Sequence, residues 1–144
     1  MSKLIAARTA QDVLCAEFTF NFDDTMVSVA GAEVDFGKTN IAATSFEVAP
    51  LPAGATVVGG SLAVTTAFDT ASYAVTVGDA TTANRYLASA DRKAVGYTPL
   101  VPTGFVSTGE KIRVGITNAD VCTTGKATLR LEYVSAGRTG EVYL

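Results

Sequence analysis

The 144-residue sequence has 11 Lys and Arg residues against 14 Asp and Glu residues, a formal net charge of −3, and no histidine. Its length predicts a single domain. The cations are scattered rather than clustered, which argues against a nucleic-acid partner, and no apolar run is long enough for a membrane helix. A short apolar patch near the start, Leu4 to Ala7, falls short of a secretory signal, so we expect the protein to be made and kept in a cytosol.

Residues 1–12 lack strand alternation and are predicted to form an arm ahead of a domain at 13–144. A short helical stretch over Thr9 to Leu14 is the alternative. An arm meant only for solvent would rarely carry apolar side chains next to cations, so we expect it to contact a partner. The candidate contact residues in the arm are Lys3, Leu4, Ile5 and Arg8.

From Cys15 onward the sequence has period two, which is typical of half-buried strands. In "CAEFTFNF" the residues Ala16, Phe18, Phe20 and Phe22 share one face, and Asp23-Asp24 ends the strand as a turn. Further along, "TMVSVAGAEVDFG" predicts a hairpin and "TSFEVAP" a strand that a Leu-Pro-Ala-Gly turn closes. The long segment "TVVGGSLAVTTAF" contains Gly59-Gly60, which predicts a bulge or bend.

The second half continues with the predicted strands "SYAVTVG", "RYLAS", "GFVST", "EKIRVGIT" and "KATLRLEYVS". Eight to ten short strands without any helical period predict an all-β sandwich or barrel. The residues expected in its core are Phe18, Phe20, Val64, Val75, Val77, Ile112, Val114, Leu129 and Leu131. The tail "GRTGEVYL" ends in apolar residues and is expected to dock, with Tyr143 and Leu144 as candidate contacts.

The sequence offers no convincing catalytic or metal site. Asp23 and Asp24 are neighbours on a strand end and face apart, so they cannot share a proton. The three residues Asp69, Asp79 and Asp91 lack calcium-loop spacing. Without histidine or a CxxC pair, zinc sites and histidine-activated nucleophiles have no basis. We therefore expect no enzyme activity, no metal and no cofactor.

The two cysteines, Cys15 and Cys122, are expected to be free, buried thiols. A disulfide between them would close a very long loop and contribute about 4–5 kcal/mol. A reducing cytosol favours the thiols.

The segment "VTVGDATTANRYLASAD" runs from a strand into a polar loop, and two hypotheses fit its Arg85-Tyr86 pair. Arginine and tyrosine are enriched in protein interfaces, so the pair can form a contact with another protein. Alternatively, Tyr86 is tucked under its own loop and Arg85 pairs with Asp79 or Asp91. The sequence alone does not decide between them.

The string "LPAGATVVGGSLAVTTAFDTASYAVTVGDATTANRYLAS" resembles a pattern in capsid decoration (cement) proteins of tailed bacteriophages. Pro102-Thr103-Gly104 and the segment Gly125 to Val134 add to the likeness, which spans Phe46 to Val134. The resemblance implies an antiparallel, jelly-roll-like β-sandwich. It also implies a structural protein, synthesised in the bacterial host cytoplasm, that binds the outer capsid surface.

On that resemblance the partners are the major capsid protein, whose neighbouring subunits it would clamp, and further copies of the chain in a dimer or trimer. The alternative function is a carbohydrate-binding β-sandwich of a phage tail fibre or spike. Sugar sites usually use aromatic platforms, and a chain with five Tyr and no Trp supports that alternative only weakly.

Overall fold

The computed structural model describes residues 13–135, which form ten β-strands and contain no helix. The strands are β1 (Leu14–Asn21), β2 (Thr25–Val27), β3 (Glu33–Asp35), β4 (Thr44–Ala49), β5 (Ala55–Thr66), β6 (Tyr73–Gly78), β7 (Leu87–Asp91), β8 (Gly96–Pro99), β9 (Ile112–Asn118) and β10 (Lys126–Ser135). Within residues 13–135 there is consequently no helix long and apolar enough to cross a membrane.

Two four-stranded antiparallel sheets make the sandwich. The first sheet has the order β1-β10-β5-β8, the second has the order β4-β9-β6-β7, and β2 and β3 form a separate hairpin. If the hairpin is left aside, the first strand pairs with the last, the second with the last but one, and so on inward to β6 and β7. This is the strand order of a jelly roll, and it confirms the predicted all-β, antiparallel sandwich.

The core lies between the sheets and follows from the period-two alternation. On β10, Ala127, Leu129 and Leu131 are buried while Lys126 and Arg130 are exposed. Eight of the nine predicted core residues are buried. The exception is Phe18, which is only half-buried because β1 is an edge strand. Its ring lies 5.7 Å from Phe20 and 5.9 Å from Phe36, centroid to centroid.

A buried amide ties the end of β9 to the segment that leads into β4. Asn118 is 2% exposed, and its Oδ1 accepts the backbone N–H of Ile41 at 2.6 Å. Its Nδ2 donates to the carbonyls of Gly37, Thr39 and Asp120 at 3.2, 2.9 and 2.7 Å. Because a buried polar group must be hydrogen-bonded, this residue fixes the path of the connection. The sequence analysis did not single it out.

Three local predictions need correction. "GFVST" is not a strand, because only Val106 makes an isolated bridge, to Thr56. The edge strand β8 was not predicted, since its "GYTP" sequence lacks alternation. The helical alternative for Thr9 to Leu14 is wrong at its end, because Leu14 already belongs to β1.

The predicted irregularity near Gly59-Gly60 is confirmed. Register between β5 and β10 shifts so that Val58 is left without an opposite residue. A Cβ atom on Gly60 would meet the Arg130 carbonyl oxygen of the paired strand β10 at 2.2 Å, so no larger residue fits at this position.

Candidate contact surfaces

The loop after β6 folds around the carboxylate of Asp79, which is 4% exposed. Its Oδ1 accepts the backbone N–H groups of Thr81 and Thr82 at 3.0 and 2.8 Å. Burial alone would raise the pKa of Asp79, but the hydrogen bonds from Arg85 and from these backbone groups outweigh it and hold the pKa below its ordinary value. The preceding residue must be Gly78, since a Cβ there would meet the Thr82 carbonyl oxygen at 2.2 Å.

The structure places Arg85 and Tyr86 inside the subunit. Arg85 Nε donates to Asp79 Oδ2 at 2.6 Å, and the Arg85 side chain is 14% exposed. Tyr86 is 1% exposed, and burial raises the pKa of its hydroxyl. The intramolecular alternative is therefore the one that the geometry supports, and Tyr86 offers a partner almost no surface.

This loop supports the segment that follows β8. The Arg85 guanidinium carbon lies 3.5 Å from the centroid of the Phe105 ring, a cation–π contact. The backbone N–H of Val101 donates to the Tyr86 carbonyl at 2.9 Å. The Thr81 hydroxyl donates to Glu110 at 2.7 Å. The loop after β6 therefore holds residues 100–110 in place through these contacts.

Residues 95–106, which overlap the supported segment, expose apolar side chains that nothing within the described residues covers. Of the large apolar side chains that are exposed, four lie between residues 95 and 106: Val95 (65%) just before β8, Tyr97 (69%) on it, and Val101 (63%) and Val106 (54%) after it. We call residues 95–106 the β8 surface. Exposed apolar side chains grouped along one sheet edge are typical of a protein contact.

The other candidate contact residues of the sequence lie outside the described residues: Lys3, Leu4, Ile5 and Arg8 in the arm, and Tyr143 and Leu144 in the tail. Their contact role stays a prediction.

The acidic residues first considered for calcium each support a separate loop. Asp69 accepts hydrogen bonds from Thr123 and Thr124, and these bonds lower its pKa to about 2. Asp91 accepts the backbone N–H groups of Tyr73 and Lys93 at 3.0 and 3.1 Å, and its pKa is lowered as well. Among residues 13–135 no three acidic or thiol groups converge to hold a metal ion.

Both thiols are free, as predicted, but only one is buried. Cys122 is 3% exposed, and burial raises the pKa of its thiol. Cys15 is exposed, so the expectation that it is buried is wrong. It lies on the outward face of β1, where Glu17 and Thr19 are exposed as well.

The tyrosines form no shared platform in the described part of the chain. Tyr73 and Tyr86 are buried, Tyr97 is exposed on β8, and Tyr133 is half-buried on β10. The Tyr73 hydroxyl donates to the Phe36 carbonyl inside the core, and its ring stacks on Phe68. The Tyr73 contacts stabilise the core of the sandwich. Residues 13–135 contain no surface on which several aromatic rings could stack on a sugar.

Comparisons with known proteins show the same fold in phage capsids. No protein-family model matches the sequence, and no match is found among curated proteins. A chain of the solved structure "Cyanophage Pam1 capsid asymmetric unit" is similar over 92% of both chains, with 19% identity and a TM-score of 0.62. A chain of "Capsid of Ralstonia phage GP4" is similar over 94% of this chain and 92% of that one, with 19% identity and a TM-score of 0.59. The similarity extends over almost the full length of each chain.

Proposed function

We propose that this chain is a structural protein of a bacteriophage virion, without enzymatic activity, that binds the outside of the capsid. There it clamps neighbouring major capsid subunits and stabilises the shell. The observation that carries the proposal is the jelly-roll fold, which matches chains of two phage capsid structures nearly end to end. The sequence resemblance to capsid decoration proteins supports the same role independently.

The β8 surface is the contact that we assign to the shell. Its side chains are apolar and exposed, and the segment beneath them is held by the Asp79–Arg85 pair, so it loses little conformational freedom on binding. A single surface of this size gives a weak contact. Several copies joined in a dimer or trimer would bind many shell sites at once, and this multivalency can supply the missing affinity.

The direct test is binding of the purified protein to expanded capsids that lack decoration. We expect saturable binding and a higher melting temperature of the shells. Val106→Asp should weaken binding about tenfold or more, because a charge placed in an apolar contact must be desolvated. Val121→Asp is the matched control, since Val121 is 55% exposed and Val106 54%, and Val121 lies outside the β8 surface.

Protein that binds no such shell would contradict the proposed function. Equal losses from Val106→Asp and Val121→Asp would keep the function but remove the β8 surface from the contact. Melting curves of both variants check that each still folds.

A further inference from the structure

The two sheets have four edge strands, and three of them are protected against pairing with another chain. β8 has only four residues and ends at Pro99. β7 has five residues and shifts register against β6. β4 is covered by the β2–β3 hairpin, whose tip donates from the Val29 N–H to the Ser45 carbonyl at 2.9 Å. Short strands, proline, bulges and covering loops are the usual ways of blocking an edge.

β1 has none of these protections before its last residue, Asn21. It is eight residues long, pairs with β10 without a register shift, and contains neither proline nor lysine. Within residues 13–135 no strand pairs with its other side. Alternate backbone N–H and C=O groups of β1 therefore point outward. At Asn21 both are taken by Asp24, whose Oδ2 accepts the Asn21 N–H at 2.8 Å and whose N–H donates to the Asn21 carbonyl at 3.2 Å. The outward groups nearer the start of β1 are available to a further strand.

A groove runs beside this open edge. It lies between β1 and the hairpin and has a volume of about 450 Å³. Four apolar residues line it (Phe18, Phe20, Met26 and Phe36), together with four polar ones (Thr19, Asp23, Asp24 and Thr25). Phe18 and Met26 are only half-buried there. Asp23 and Asp24 stand at its end and form no ion pair with any described residue, although Asp24 Oδ2 accepts hydrogen bonds from the backbone N–H and Nδ2 of Asn21. An open strand edge next to a groove that can take alternate side chains is the arrangement that binds extended peptides by strand addition.

The charges of the chain indicate what fits this groove. Residues 13–135 carry eight Lys and Arg against twelve Asp and Glu, a net charge of −4. Residues 1–12 carry two cations, Lys3 and Arg8, against Asp12, a net charge of +1, and they place Leu4 and Ile5 between those cations. A segment with apolar side chains flanked by cations complements a groove that has aromatic and Met side chains in its lining and two carboxylates at its end.

The sequence before β1 favours a second copy as the source of an arm in this groove. To pair with its own β1, the arm would have to reverse direction just before Val13. Residues 8–13 contain Asp12 as their only usual turn residue, and no Gly to supply the positive φ that a two-residue hairpin turn needs. An arm that continues the line of β1 leads away from its own edge instead. Twelve extended residues span about 40 Å, which is enough to reach a neighbouring subunit.

We propose that residues 3–8 of one copy add as a strand to the open edge of β1 in a second copy, with one of the adjacent residues Leu4 and Ile5 inserted in the groove. The exchange links subunits through main-chain hydrogen bonds and leaves the β8 surface free. The inference does not depend on capsid binding, because it concerns contacts between copies of this chain.

Cysteine cross-linking in a Cys15→Ser background tests the proposal. One chain carries Met26→Cys, and a second chain, made longer by a tag, carries either Leu4→Cys or Ile5→Cys. After mixing and mild oxidation we expect a disulfide-linked heterodimer from one arm position and little from the other, because neighbouring residues of a strand face opposite ways. Val121→Cys in place of Met26→Cys is the control and should give no heterodimer.

Four outcomes would overturn the proposal: no heterodimer from either arm position, equal yields from both, equal yields with the Val121→Cys control, or linkage only when both cysteines are on one chain. When capsids are added to the mixture, linkage of the arm cysteine to shell subunits in place of Met26→Cys would assign the arm to the capsid. That result would overturn the proposal as well. Melting curves confirm that each variant folds.

Sedimentation of the full chain gives an independent measurement. Deletion of Ser2 to Ala10 should weaken self-association at least about tenfold, equivalent to about 1.4 kcal/mol. Asp23→Asn should weaken it about twofold to fivefold, with Asp120→Asn as a control that changes nothing. Unchanged self-association after the deletion would contradict the proposal. Shell binding is measured separately, so failure here leaves the proposed function standing.

Discussion

The first sheet ends in two edges that differ in what they offer a partner. At the β8 edge the backbone stops early at Pro99, while Tyr97 and Val101 stand exposed beside it. At the β1 edge the strand is long and regular, and its outward residues Cys15, Glu17 and Thr19 are small or polar. The β8 edge thus offers apolar side chains to a surface, whereas the β1 edge offers main-chain groups to a strand. One sheet can therefore make two different contacts at once.

Both edge strands pack on one shared core. A truncation in that core should therefore lower the free energy of unfolding more than the other substitutions. Leu129 is 2% exposed on β10, which pairs with β1 on one side and β5 on the other. Leu129→Ala should lower the free energy of unfolding by about 2–5 kcal/mol. Thr128→Ala, on the outward face of the same strand, is the control and should cost less than about 1 kcal/mol. Denaturant unfolding measures both, and a loss below about 0.5 kcal/mol for Leu129→Ala would mean that the strand faces are wrongly assigned.

Removal of the Asp79–Arg85 ion pair, which supports residues 100–110, should destabilise the chain near the β8 edge and not near the β1 edge. Arg85→Ala leaves the buried Asp79 carboxylate with only its two backbone donors, and we expect a loss of about 1–3 kcal/mol in unfolding free energy. Asp79→Asn combined with Arg85→Ala should cost less than the two single losses added together, because the substitutions remove the same pair. Additive losses would contradict a direct coupling between the two side chains.

The period-two stretches were predictable because burial on one sheet face imposes that pattern, and β1 and β10 were read correctly from it. β8 was missed because a four-residue edge strand with a proline has no pattern to show. The Arg85–Tyr86 pair was undecided in sequence, since a salt bridge to a residue six positions earlier depends on how the loop closes. The prediction that Cys15 is buried was wrong because its side chain lies on the outward face of an edge strand, which is exposed.

Acid should weaken the loops that brace the sandwich. Asp35, Asp69, Asp79 and Asp91 all have a lowered pKa, so between about pH 4 and pH 2 the folded chain binds fewer protons than the unfolded chain. The stability that these groups provide is fully present above the unfolded pKa near 4 and is lost as the pH falls through the folded values. Melting temperature should therefore drop steeply below pH 4. Asp69→Asn should make that drop shallower, and an unchanged slope would contradict the assignment for Asp69.

The smallest effect is expected at the outward side of the β1 edge. Cys15 is exposed and its thiol is free, so Cys15→Ser should change the unfolding free energy by less than about 0.5 kcal/mol. The double variant with Cys122→Ser should still assemble, with some loss of stability from the buried position. Reductant should leave the melting temperature of the unmodified protein unchanged, and a large drop on its addition would reveal a disulfide.

An image reconstruction of shells decorated with the purified protein tests the central claim most directly. The account predicts density for the jelly roll on the outer surface, bridging neighbouring capsid subunits, with residues 95–106 turned towards the shell. Density inside the shell or on the tail would contradict the proposed function. Density outside the shell with residues 95–106 facing solvent would contradict the assigned contact.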